Sequence, residues 1–151
     1  MDTKVLSREE LESRYHIAIE RYVKTLDIEH TALLELTSTY IIPTLEKQMT
    51  LLGGSHEAMT AAPLKKLHKD RMSEFEEVFA EVLKHYAVFK TLVEKSRKGH
   101  DEHKRMWDIV DTLQPASFKL RDAVDMAELL VSEDLWPLPK YREMLLAHSL
   151  A

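Results

Sequence analysis

The chain contains no cysteine. Disulfides, thiolate metal sites and a cysteine nucleophile are thereby excluded, and such usage fits the reducing cytoplasm, the compartment expected for it. Glycine (three residues) and proline (five) are scarce, so few positions oblige a helix to stop. Four Phe stand against seven Met, which points to a core filled by flexible side chains rather than keyed rings. There is no excess of positive charge. The net charge is −5 with both signs interleaved, so neither nucleic acid nor an anionic membrane is expected as a partner. Long apolar runs are lacking too: the charge-free stretch from Leu36 to Leu45 is too short and too polar to span a bilayer. Met1-Asp2-Thr3-Lys4 leads into a helix cap rather than an apolar signal core, so no signal segment is expected.

What remains is a chain that is 44% hydrophobic and 31% charged, the composition of a folded domain rather than a disordered one. Its 151 residues fit a single domain, 1–151. Ser7 with Glu10 forms a capping-box pattern, in which two orphan backbone donors are satisfied reciprocally. Apolar or small residues follow at Leu11, Tyr15, Ala18, Tyr22, Leu26, Leu33, Leu36 and Tyr40, a helical stripe. Glu10–Arg14 and Glu20–Lys24 are spaced as favourable pairs on its outer side. Pro43 predicts a kink rather than an end, since the stripe resumes at Leu45, Met49 and Leu52. Gly53-Gly54-Ser55 is expected to end this first helix, 7–51, at a length of about 65 Å.

So long a helix needs a long partner. Pro63 suits a first turn, and Leu64, Leu67, Met72, Phe75, Phe79, Val82, Tyr86, Phe89 and Val93 continue the pattern. It weakens around Gly99 and recovers at Trp107, Val110 and Leu113, which predicts one helix over 63–113, antiparallel to the first. A third helix is expected over 115–131, burying Phe118, Leu120, Val124, Ala127 and Leu130. Leu135-Trp136-Pro137-Leu138-Pro139 reads as extended, because each proline drives the preceding residue out of the α region. A short helix over 140–148 completes the chain. The predicted fold class is all-α: a long antiparallel hairpin with a third helix packed on it, an up-down-up bundle.

Chemistry is harder to find. A di-iron bundle needs Glu-x-x-His on two helices, and the chain has none; Asp27-x-x-His30 comes nearest. His100 and His103 share one helix face and are weak metal candidates, but a zinc site needs a further ligand that the spacing does not nominate. Asp27, Glu29 and His30 interrupt the first apolar stripe. A buried carboxylate–imidazole pair there would fix helix register or face another domain, while Glu29 reads as solvent-facing. Neither His68-Lys69-Asp70 nor His85-Tyr86-Ala87 has the glycine of a phosphotransfer module. Gly53-Gly54 has no following Lys-Ser or Lys-Thr, so it is no phosphate loop. Trp107 and Trp136 sit in apolar settings and read as packing anchors. No catalytic or cofactor-binding residue is nominated, which leaves a structural or interaction module.

Several stretches carry a specific likeness. Near the start stand Val5-Leu6-Ser7, Ser13-Arg14-Tyr15 and Tyr22-Val23-Lys24-Thr25-Leu26-Asp27-Ile28-Glu29, leading to Ile41-Ile42-Pro43. Near the end stand Leu120-Arg121-Asp122-Ala123-Val124-Asp125 and Asp134-Leu135-Trp136-Pro137-Leu138-Pro139-Lys140-Tyr141-Arg142-Glu143-Met144-Leu145. Together they resemble the C-terminal helical region of type III glutamine synthetases, from about Val5 to Leu146, with the Trp-Pro string the most specific part. The resemblance implies a parent enzyme, a glutamate–ammonia ligase of glutamine biosynthesis and nitrogen assimilation that uses ATP and a divalent metal, Mg or Mn. It implies that the catalytic site lies in other portions of such a parent, so no site residue carries over and no cofactor is expected in this domain. The expected role is non-catalytic, structural and assembly-related or regulatory, in a domain excised from the C-terminus of a larger enzyme. Its expected partners are the parent's catalytic domain and neighbouring subunits, with a homodimer in isolation left open. A free-standing helical interaction module is the alternative reading.

Overall fold

The computed structural model describes residues 7–99, 101–140 and 143. Those residues are helical almost throughout, with no strand among them. They form three rods, up, down and up. The first rod joins α1 (Arg8–Leu36), a π turn (Thr37–Ile41) and α2 (Ile42–Ala58) into one unbroken helix. The second rod is α3 (Ala62–Ser96). The third joins α4 (Glu102–Asp108), a second π turn (Ile109–Leu113) and α5 (Gln114–Leu130). The expected all-α, up-down-up packing is what the chain adopts.

Each rod starts and stops for legible reasons. The capping box at Ser7 forms in full: Glu10 N–H donates to Ser7 Oγ at 3.1 Å, and Ser7 N–H donates to Glu10 Oε2 at 2.7 Å. Glu10 is thereby engaged at the cap, while Glu20 does pair with Lys24 as its spacing predicted. Both π turns sit immediately ahead of a proline, Pro43 and Pro115. In an α-helix a proline ring collides with the carbonyl four residues back. Here the backbone widens first: Ile42 N–H donates to Thr37 O, and Gln114 N–H donates to Ile109 O, each five residues back. The helix therefore continues past both prolines.

Three expected boundaries need correction. Gly53-Gly54-Ser55 does not end the first helix, which runs on to Ala58. Neither glycine has positive φ, and Leu52 just before them is buried against the neighbouring rod's core. A helical glycine costs only about 1 kcal/mol relative to alanine, less than such packing returns. Nor is 63–113 one helix. It stops at Ser96, turns through Arg97-Lys98, and restarts where the Asp101 carboxylate accepts from His103 N–H (3.0 Å) and Lys104 N–H (3.2 Å). That aspartate cap outweighs the apolar recovery at Trp107. Consequently the third rod starts at Glu102 rather than Pro115, and Pro115 lies inside it.

The core has two apolar lobes. One, toward the α2–α3 turn, gathers Ile41, Leu45, Leu52, Phe75, Val82, Ala127 and Trp136. The other, toward the α3–α4 turn, gathers Ile19, Val23, Leu26, Phe89, Val93, Ile109, Leu113 and Leu120. On α3 the buried positions His68, Phe75, Val82, Phe89 and Ser96 recur every seven residues, the spacing of a coiled-coil seam. On the first rod the seam runs through Ile19, Val23, Leu26, His30, Thr37 and Ile41. It therefore leaves Leu11, Tyr15, Leu36 and Tyr40 exposed, contrary to the expected stripe. Two polar residues within the seam, His30 and Thr37, disguise its phase. On the third rod the seam through Leu113, Ser117, Leu120, Ala123 and Ala127 likewise turns Phe118 outward.

After α5 the chain folds back over α2. Ser132 N–H donates to Gln48 Oε1 at 3.0 Å, and Thr44 Oγ1 donates to the Leu135 carbonyl at 3.4 Å. Trp136 is buried in the first lobe, an anchor as expected. Trp107 is not: half its surface is exposed, and its ring meets His103 edge-on. The short helix expected over 140–148 falls almost wholly outside the described residues.

Candidate functional site

The polar insertion in α1 is where the three rods are tied together. Asp27, on the side turned toward α4, accepts from Arg105 Nη2 at 2.5 Å, and both side chains are about three-quarters or more buried. One turn on, Arg97 from the end of α3 donates to the Thr31 hydroxyl. Between them His30 is 4% exposed and stands edge-on to Phe89 of α3, with ring centroids 5.3 Å apart and planes at 90°. Burial lowers the His30 pKa below its ordinary 6.5. The Asp27 and Glu29 carboxylates pull it upward, while the Arg97 cation adds to the lowering. A neutral imidazole packed on a phenyl ring is the result.

This arrangement ties α1 to α3 and α4. The Asp27 carboxylate is occupied by a guanidinium, and His30 has no hydroxyl or thiol within hydrogen-bonding reach among the described residues. Glu29 is exposed, as its reading in the sequence had it. It stands on the rim of an open hollow of about 350 Å³ between α1 and α5, opposite Gln114, Ser117 and Arg121.

The histidines nominated from spacing are not brought together into a site. His103 is exposed, its Nε2 lying 3.1 Å from the Tyr15 hydroxyl of α1, and His100 lies outside the described residues. Among the described residues no group of three or more His, Asp or Glu side chains is placed to share a metal ion. His68 is buried, and His85 Nε2 sits 3.1 Å from Glu81, so neither offers the free imidazole of a phosphotransfer surface. Sequence reasoning missed Arg105 as the partner of Asp27. The signal was the Asp101 cap, which starts a new helix whose last turn brings Arg105 to Asp27 of α1.

The opposite quality marks the start of α1. Every residue from Ser7 to Ala18 is exposed, including Leu11, Tyr15 and Ile17. Only Tyr15 in this stretch is described in contact with another rod, through His103 of α4, so Leu11 and Ile17 leave apolar surface open to solvent.

Fold and surface together define an all-helical, three-rod domain in which the Asp27–Arg105 ion pair ties the first rod to the third. Comparison with known proteins shows what this domain is similar to. The glutamine synthetase C-terminal domain family matches residues 1–60, the stretch holding α1, the first π turn and α2. A curated glutamine synthetase from Bacteroides fragilis (strain YCH46) is 25% identical over 149 residues, covering 94% of this chain and 20% of that protein. A type-3 glutamine synthetase from Dictyostelium discoideum is 26% identical over 151 residues, covering 95% of this chain and 20% of that protein. The chain thus spans about a fifth of the length of the curated relatives it matches. The chain is thus similar to the C-terminal domain of glutamine synthetase, the resemblance that the Trp-Pro string and the capped first helix suggested.

Proposed function

We propose that this chain serves as the non-catalytic C-terminal helical domain of a type III glutamine synthetase, with a structural, assembly or regulatory role. The observation that carries the reading is the correspondence of nearly the whole chain to one fifth of each relative, the family match being to a C-terminal domain. The type III assignment rests on the Dictyostelium relative and on the motifs quoted above. The parent activity is ATP-dependent ligation of ammonia to glutamate with Mg or Mn, in the cytoplasm. The donor set here does not fit that chemistry: among the described residues the carboxylates and imidazoles are dispersed along helix faces or paired with cations. No step of ligation is therefore assigned to these residues. Their part is to dock, through the exposed start of α1, on the catalytic portion of the parent and on neighbouring subunits.

Deleting the matched segment from the Bacteroides relative tests this directly. The expected outcome is a changed oligomer mass in light scattering, or lost stability or altered regulation of the remainder. Unchanged oligomer size, stability and regulation would sink the reading and favour a free-standing interaction module.

A further inference from the structure

We propose that the start of α1 docks an amphipathic helix of a different protein surface, one that carries carboxylates on either side of an apolar side chain. This rests on the docking role given above to the same end of α1, and it adds what the partner must bring. Arg14, Ile17, Ala18, Arg21, Tyr22 and Thr25 line an open hollow of about 590 Å³ on this helix. Tyr22 packs against the second apolar lobe and roots the hollow on the core, whereas the other five residues are exposed. Small Ala18 sits among larger side chains, as the floor of a hole does where a neighbouring helix inserts a knob.

Charge decides the partner. Arg14 and Arg21 stand seven residues apart, so both lie on one face, separated by about 10 Å along the axis. Neither guanidinium has an ion-pair partner among the described residues. The reason is local. Glu10, one turn before Arg14, is held at the Ser7 cap, and Arg21 has only Ile17, Ala18, Lys24 and Thr25 at the neighbouring positions. Two unpaired cations thus flank Ile17, which is 60% exposed. A second copy of the chain cannot cover this face. Parallel pairing would set Arg14 on Arg14, and antiparallel pairing would set Arg14 on Arg21, so either geometry brings like charges together. Nucleic acid and anionic lipid are disfavoured too, because Glu9, Glu12 and Glu20 are interspersed along this end and Ile17 offers a phosphate nothing. What fits is a helix with Asp or Glu seven residues apart and Leu, Ile or Met between them. Its carboxylates accept from both guanidiniums in two-pronged hydrogen bonds while its apolar side chain enters over Ala18.

Titrating the chain with two helical peptides at low salt, followed by amide NMR, tests this. One peptide carries Leu between two Glu seven residues apart; its twin carries Lys in place of both Glu. The Glu peptide should shift the amides of residues 14–25 first and bind about tenfold more tightly than its twin. In the double variant Arg14→Glu with Arg21→Glu the preference should invert, and circular dichroism should show the helix content unchanged, since both sites are exposed. Equal binding of the twins, a preference that the double variant keeps, shifts centred elsewhere, or no binding of the Glu peptide overturns the proposal. Tighter binding to phosphatidylserine vesicles than to the Glu peptide overturns it as well. A failed inversion together with a changed oligomer mass on deletion in the Bacteroides relative removes the partner's chemistry alone; failure of both removes the docking reading with it.

Discussion

Replacing Gly53 and Gly54 together with alanine should stabilise the protein, because both lie inside α2 and not in a turn. Neither has positive φ, and a Cβ added at either meets nothing within 4 Å. No strain or overlap therefore opposes the substitution, and only the conformational entropy of the unfolded chain and helix propensity remain. Alanine is better than glycine by about 0.8–1.0 kcal/mol per site in a helix interior. The two sites lie near the end of α2, where the lower part of that range applies, so the pair should contribute about 1.5 kcal/mol. Unfolding entropy near about 2.1 cal/mol/K per residue gives about 0.3 kcal/mol/K for a chain of this length. The expected rise in Tm is therefore about 5 °C, read by circular dichroism at 222 nm and paired with urea melts. A turn with left-handed glycines would respond in the opposite sense, losing about 1 kcal/mol or more at a single substitution. A fall in Tm for either single variant would refute the continuous helix through this segment.

Acidification should destabilise the fold through His30. Its pKa is lowered by burial, so its contribution is complete above the unfolded value near 6.5 and is lost as pH falls through the folded pKa. Urea midpoints measured from pH 8 to 5 should fall less steeply in His30→Leu than in the unsubstituted protein, and parallel curves would count against the assignment. Asp27→Ala strands the Arg105 guanidinium in a mostly buried setting and should cost about 1–2 kcal/mol, between the surface and fully buried extremes. A double-mutant cycle with Arg105→Met should recover part of that loss; strict additivity would show that the two do not interact. Phe89→Ala removes a fully buried ring from between α1 and α3 and should cost about 3–5 kcal/mol, with loss of under 1 kcal/mol excluding the packing described.

Much of the fold was legible because apolar spacing is a strong signal where the seam is apolar. Phe75, Val82, Phe89 and Val93 on α3 were found that way, as were Leu26, Leu45 and Leu52 on the first rod. The phase slipped where polar residues take seam positions. With His30 and Thr37 inside, the eye moves to Leu36 and Tyr40, which are exposed. Boundaries failed for a different reason: glycine and proline were weighted as breakers at Gly53 and Pro115, whereas packing and a π turn override them. Conversely, Asp101 carried a true start signal hidden in a run of charges. The polar cluster was noticed as an interruption, but its meaning depended on Arg105 and Phe89, which lie far away in sequence. Periodicity along one helix cannot reveal what another helix brings.

The exposed start of α1 carries its own reporter. Residues 7–18 are all exposed, with Tyr15 touching His103 of α4, so their amides are protected mainly by the helix itself. A helical stretch of that length is marginal in water when nothing covers it. Its amide hydrogens should exchange with solvent orders of magnitude faster than those of Val82 or Leu120. A partner docked over Leu11, Tyr15 and Ile17, as proposed above, would slow that exchange. Deuterium uptake in this one peptide therefore distinguishes a solitary domain from an assembled one, without a label or a change to the sequence.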